Sequence, residues 1–209
     1  MEKKFYLIDH PIIKRDVTIL RDKKTDSETF RAALQRVSNI LAVELSKVFE
    51  LTKTEIETPL EMTEGAKLKH NVILVPVLRA GLGMVNGFLQ IIPEAKVGHI
   101  GLQRDEETLK PIEYYYKVPK HLETSEVVML DPMLATGGSA VEALKYLKNR
   151  GASKLAFACL VASPEGIKKM EIEHPDVKIF AAALDRELNS KGYILPGLGD
   201  AGDRTFGTL

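Results

Sequence analysis

The chain has no tryptophan, one cysteine, five histidines and no excess of either charge. Each shortage excludes something. A lone cysteine, Cys159, cannot form an internal disulfide and fits a reducing compartment. It lies in the apolar run Leu155–Ala162 and reads as a core residue, not a reactive thiol. Histidine and cysteine are too sparse and scattered for a zinc site. Lys+Arg and Asp+Glu both number 29, so formal net charge is zero and there is no bulk basic field for nucleic acid. No apolar run reaches the ~18 residues of a membrane span. Met1-Glu2-Lys3-Lys4 carries no apolar signal region. The default expectation is a cytoplasmic protein with no membrane or nucleic-acid partner. Hydrophobic residues, at 44%, suffice for a core, and 209 residues suit one domain or one domain with an appendage.

Residues 1–70 read as helical. Asp16–Leu20 and Ser27–Phe49 carry apolar residues at three- and four-residue spacing, with Asp26 or Ser27 as cap of the second stretch. Arg21-Asp22-Lys23-Lys24 between them reads as a solvated turn. From Val72 the pattern changes to short apolar runs: Val72–Val75, Lys96–Gln103, Val127–Leu130, Leu155–Val161 and Val177–Leu184. Such runs fit strands covered on both faces. Pro76 should halt regular pairing in the first. Helical stretches fall between them, at 83–92, at 139–150 closed by Gly151, and after Ser163-Pro164-Glu165. This alternation predicts a parallel sheet flanked by helices with right-handed crossovers. Asp105–Thr108 reads as a charged turn, and the tyrosine-rich Ile112–Val118 as a β-arm folded back on the preceding strand. The tail 192–209, with five glycines, reads as irregular, held to the body by Tyr193, Ile194, Leu195 and Phe206.

Chemistry concentrates at strand ends, where ligands bind in open α/β sheets. Val127–Leu130 leads into Asp131, then a small-residue loop ending in Thr136-Gly137-Gly138-Ser139, then a helix. Backbone N–H groups at such a helix start, with the Thr136 and Ser139 hydroxyls, make a phosphate cradle. Asp131 can accept hydrogen bonds from sugar hydroxyls. Arg79, beside Gly81 and Gly83, closes a second strand, and Arg104 closes a third; both can hold a more highly charged group. A sugar with a phosphate at one end and a diphosphate at the other fits this layout. Gly197–Gly202 matches G-x-G-x-x-G literally, but too few residues remain after it for a helix and a distant acid, so a dinucleotide fold is rejected. There is no Walker P-loop, and spacing shows no paired-acid or Ser–His–Asp arrangement.

V-V-M-L-D-P-M-L-A-T-G-G-S at 127–139 resembles the phosphoribosyl-diphosphate (PRPP) signature of type I phosphoribosyltransferases. With L-R-A-G-L-G-M upstream and G-Y-I-L-P-G-L-G-D-A-G-D-R-T-F-G-T in the tail, the resemblance extends over nearly the whole chain and is to the uracil phosphoribosyltransferases. It implies a single domain, 1–209: a helical N-terminal part (1–70), a PRPP-binding core (71–185) and a uracil-binding tail (186–209). The implied fold is a parallel sheet flanked by helices, with a β-arm and a hood from the terminal segments. Asp131, Pro132, Met133, Leu134, Ala135, Thr136, Gly137, Gly138 and Ser139 are implied to bind the ribose 5-phosphate, and Arg79 and Arg104 the diphosphate. Ile194, Gly199, Asp200 and Ala201 are implied to line the uracil site, with Asp200 also towards PRPP. Arg104, Asp131 and Asp200 are the implied catalytic residues. Mg²⁺ is implied with PRPP and diphosphate, and the sequence names no residue as its ligand. The resemblance further implies a homodimer or higher homo-oligomer and GTP as an effector, for which Arg21–Lys24 is a candidate. Most type I members carry two adjacent acids where this chain has Asp131-Pro132, which the uracil branch shares. An RNA-binding regulator of the same fold with residual catalysis is the alternative, opposed by zero net charge and the elaborate tail.

Overall fold

Five apolar runs with too few polar residues to face water must be covered on both sides, and the fold does this with one central sheet. The computed structural model describes residues 4–104 and 111–208, except the side chains of Arg104 and Pro111. The Asp105–Thr108 turn therefore lies outside the described residues. In chain order the elements are β1 (Phe5–Leu7), α1 (Pro11–Arg21), α2 (Ser27–Ser46), β2 (Leu51–Glu57), β3 (Met62–Leu68), β4 (Val72–Leu78) and α3 (Leu82–Ile91). Next come β5 (Lys96–Val97), β6 (His99–Arg104), β7 (Pro111–Lys117), β8 (Glu126–Leu130), β9 (Met133–Leu134), α4 (Gly138–Asn149) and β10 (Lys154–Ala162). The chain then forms α5 (Pro164–Glu173), β11 (Lys178–Leu184), β12 (Glu187–Leu188), β13 (Ile194–Leu195) and α6 (Ala201–Phe206).

The main sheet runs β1-β11-β10-β8-β4-β6-β7, parallel except for β7. Side chains alternate across it. Leu74, Val128, Leu130, Ala158 and Phe180 point to one face, under Leu20 of α1, Phe30, Leu34 and Leu41 of α2, and Phe88 of α3. Ile73, Val75, Val127, Met129, Phe157 and Cys159 point to the other, under Leu144 and Leu147 of α4 and Met170 of α5. Cys159 is fully buried, as expected, and burial pushes its thiol pKa upward. Pro76 does not break β4, but pairing with β8 ends there. On the other side β4 pairs at Ile73 and Leu74 with β5 and resumes at Val77 with β6.

Caps agree with the sequence. Asp26 accepts from the Thr29 N–H (2.7 Å) at the start of α2, and Ser163 from the Gly166 N–H (2.9 Å) at the start of α5. The β-arm is β7, folded back on β6. Arg150, at the end of α4, fastens it: the guanidinium lies 3.9 Å from the Tyr116 ring and 2.9 Å from Glu113.

Two expectations fail. Residues 1–70 are helical only over α1 and α2; β2 and β3 form an antiparallel hairpin. Its side chains are mostly exposed on both faces, so burial stamped no helical or alternating pattern on it. The tail is not irregular either. It holds β12 paired with β13, and α6, capped by Asp200, whose carboxylate accepts from the Asp203 N–H (2.9 Å). A short helix thus does succeed the glycines of 197–202. The strand before it, β13, pairs only with β12, outside the main sheet, so the dinucleotide pattern still lacks its strand.

Candidate active site

Strand β8 ends at Leu130, and the backbone leaves the sheet in a fixed direction because its neighbour β10 holds it. The Asp131 N–H donates to the Ala158 carbonyl (3.2 Å), and the Pro132 carbonyl accepts from both Leu160 and Val161 (3.0 Å each). Met133 and Leu134, as β9, then pair with Val161 and Ala162. Ser163 ties down the next turn, donating its hydroxyl to the Ala135 carbonyl (2.7 Å) and its N–H to the Leu134 carbonyl (2.9 Å). A side chain at Gly166 would stand 2.4 Å from the Ala135 oxygen, so only glycine lets α5 approach this closely. Gly137 then takes a left-handed conformation (φ 75°), turning the chain into α4. Thr136 and Ser139 are exposed at that turn. The first N–H groups of α4 have no partner within the helix, a chemistry that suits an anion.

Asp131 is partly buried and accepts from the Met133 N–H (3.2 Å). Withdrawal from water pushes its pKa up to about 7, and the Met133 bond pulls only weakly the other way.

Beyond β4, the Leu78–Arg79 peptide is cis. A side chain at Gly81 would stand 2.3 Å from the Leu130 oxygen, so the loop after β4 meets the end of β8 through bare backbone. Arg79 is exposed and pairs with Asp203 of α6 (3.0 Å). The Thr208 hydroxyl and, after it, Arg79 hold the Asp203 carboxyl below its usual pKa. The backbone of Arg104 ends β6, but its side chain lies outside the described residues.

The tail folds over these loops. Together they enclose a cavity of about 520 Å³, walled by Asp131, Met133, Ala135 and Thr136 on one side and by Ile194, Gly199, Asp200, Ala201 and Gly202 on the other. Two groups sixty residues apart in sequence thus share one space. Pro132, Leu134, Gly137, Gly138, Ser139 and Arg79 are not among its lining residues. Ala80, Lys191, Gly192 and Tyr193 line it too, unforeseen, although each sits within or beside the L-R-A-G-L-G-M stretch or the glycine-rich tail. Tyr193, expected to anchor the tail, is 65% exposed and Phe206 is 42% exposed; of the apolar anchors only Ile194 is buried.

Arginines hold the tail instead. Arg21 pairs with both oxygens of Asp185 and donates to the Gly197 carbonyl (2.7 Å). Arg204 donates to the Leu20, Leu198 and Asp22 carbonyls, and Arg31 to the Thr205 carbonyl (2.9 Å). Arg21 is therefore not part of a solvated turn, and it is not free to hold an anion.

Among the described residues, one group has metal-ligating side chains close together: Glu50, His70 and Glu126. It lies at the opposite end of β8 from Asp131, roughly 16 Å along the strand. Lys154 fills it, 2.8 Å from Glu50 and 2.7 Å from the His70 ring nitrogen. The Lys154 and Lys69 ammonium groups hold Glu50 down to about 2. No described helix is long and apolar enough to cross a membrane.

A sequence profile described as uracil phosphoribosyltransferase matches residues 7–208. The chain belongs to the uracil phosphoribosyltransferase family. Curated relatives of that name include one from Bacillus licheniformis, 54% identical over 98% of this chain and 99% of the relative, and one from Salinibacter ruber, 52% identical over 97% and 96%. A solved structure of an Aquifex aeolicus protein superimposes with a TM-score of 0.91 at 39% identity, covering 97% of each chain. A purine phosphoribosyltransferase from Pyrococcus horikoshii shares the fold at 16% identity (TM-score 0.51, 88% of this chain and 90% of that one). The fold is that of the type I phosphoribosyltransferases.

Proposed function

We propose that the chain transfers the 5-phosphoribosyl group of PRPP to uracil, giving UMP and diphosphate, a pyrimidine salvage step. The observation that carries this reading is the single cavity with the Asp131–Thr136 loop on one wall and the glycine-rich tail on the other. The 5-phosphate sits on the Ala135–Ser139 loop at the start of α4. Asp131 takes the ribose hydroxyls, and Pro132, Met133 and Leu134 fix where it stands. Arg79 and Arg104 take the diphosphate. Uracil lies against Ile194, Gly199, Asp200 and Ala201, with Asp200 reaching towards the sugar.

In the reaction the bond from the anomeric carbon to diphosphate breaks, the bond to the uracil nitrogen forms, and that nitrogen gives up its proton. Much of the leaving-group departure precedes attack. Positioning by Asp131 and charge stabilisation by the arginines supply the catalysis. The cavity carboxylates, Asp131 and Asp200, each already accept a backbone N–H and form no closed cage. If Mg²⁺ enters with PRPP, Asp131 and Asp200 are the cavity residues that would hold it. When bound it would spread the charge of the departing diphosphate.

UMP formation from uracil and PRPP, with and without Mg²⁺, tests the assignment; no UMP under any condition refutes it. Cytosine should fail as acceptor by up to ~10⁴-fold, because its exocyclic amine leaves a donor in the tail loop unpaired. Comparable turnover of cytosine would sink the role given to Gly199–Ala201. The same assay with GTP tests an effector site, for which Lys23 and Lys24 remain after the loss of Arg21. Sedimentation tests a homo-oligomer built on the β-arm, where Tyr114 and Tyr115 are exposed. The RNA-binding alternative is not favoured; RNA retention at moderate salt without turnover would revive it.

A further inference from the structure

Residues 197–201 approach the cavity with their backs held. Gly197 donates its N–H to Asp185 (2.8 Å) and its carbonyl accepts from Arg21 (2.7 Å). The Leu198 carbonyl accepts from Arg204 (2.8 Å). Asp185 and Arg204 are buried, at 6% and 8% exposure, and the Arg204 guanidinium also lies 4.6 Å from the Phe30 ring. Behind them stands the C-terminal end of α1, where the Leu20 and Asp22 carbonyls take the other Arg204 donors. Gly197 and Gly199 have left-handed backbone (φ 63° and 80°), and a side chain at Gly197 would stand 2.4 Å from the Ile194 oxygen.

We propose that Arg21 and Arg204 are positioning residues for base selection, setting from behind the direction in which Gly199, Asp200 and Ala201 face the pyrimidine. A carbonyl gripped by a guanidinium cannot rotate, and the peptide plane that carries it fixes the next N–H. Both groups of Gly197 and the carbonyl of Leu198 are occupied on the far side, so the next residues, from Gly199 on, are presented to the cavity. Apolar packing alone could hold the tail down. A buried guanidinium aimed at three carbonyls is expensive to desolvate and adds orientation that packing lacks. A site that tells uracil from cytosine by backbone groups needs that orientation, since a small displacement mispairs every contact.

The inference rests on the assignment of uracil to the tail loop, so the test separates the two. Arg21→Lys and Arg204→Lys keep the charge but lose the planar fork. Each should raise the KM for uracil about tenfold, leave the KM for PRPP within about twofold, and narrow the preference for uracil over cytosine. Gly199→Ala is the control for the loop itself. If it leaves the uracil KM unchanged, the base-site assignment fails and the inference with it. If it raises that KM while folded lysine variants behave like the parent, or raise both KM values alike, the positioning role is overturned and the arginines serve only the fold. Hydrogen exchange on the unaltered protein reads the clamp directly, as local opening of the Gly197–Asp185 bond. The Gly197 amide should exchange many-fold more slowly than the amides of the exposed Gly199 and Asp200 in the same loop; equally fast exchange overturns the proposal.

Discussion

Burial sets two demands on Asp131 against each other. To accept hydrogen bonds from ribose hydroxyls on both oxygens, and strongly, it should be ionised, yet burial favours the neutral acid and lifts its pKa to about 7. In the free protein it is therefore protonated below neutral pH and charged above. PRPP affinity should rise as pH climbs from about 6 to 8 and then level off. Asp131→Asn should bind PRPP more weakly at pH 8 and lose this dependence, a comparison that titration calorimetry can make while holding the substrate's own ionisation common to both proteins. An unchanged profile in the variant would remove Asp131 from the ribose site. Stability moves the opposite way. The native state keeps its proton where the unfolded chain has lost it, so this group's contribution falls as pH rises from about 4 to 7 and is constant above. The acid and its loop were legible from sequence because a strand end leading into small residues has a local signature. The pKa was not, since it depends on what packs around the carboxyl.

At the scale of elements, the phosphate loop is shaped mainly by its neighbours. Ser163 is both the cap of α5 and the strut under Ala135, so Ser163→Ala removes a cap and leaves a part-buried carbonyl without its donor. A loss of roughly 2 kcal/mol is expected in urea denaturation, with weaker PRPP binding because the loop loses support. Retained stability would mean that water takes the place of the hydroxyl. The cap was readable from Ser163-Pro164-Glu165; the strut joins residues 28 apart and was not. The β2–β3 hairpin shows the converse. Strands wet on both faces carry no burial pattern to find. In α6, six residues with a glycine concealed a helix that Asp200 caps. The terminal arginines were silent because most of their partners, the Asp185 carboxylate and several backbone carbonyls, lie far along the chain.

Over the whole molecule, the sheet is stitched by dozens of local and neighbouring contacts, whereas the tail is held largely by a few arginine bonds and the cover of Ile194 and Leu198. The two parts should therefore differ in local stability. In urea below the global midpoint, discrimination of uracil from cytosine should decline while far-ultraviolet circular dichroism is unchanged; loss of both together would show a single cooperative unit. The sheet and its flanking helices were largely legible because alternating runs of strand and helix announce a doubly covered sheet. The coupling of tail to N-terminal helices was not, since it rests on pairs 164 to 184 residues apart. That separation also imposes an order in time. On a ribosome, β8, Asp131 and the start of α4 emerge well before residue 197, and Arg21 waits throughout for partners not yet made. A chain extended through α5 thus holds a grip for a phosphate before it has any means of choosing a base.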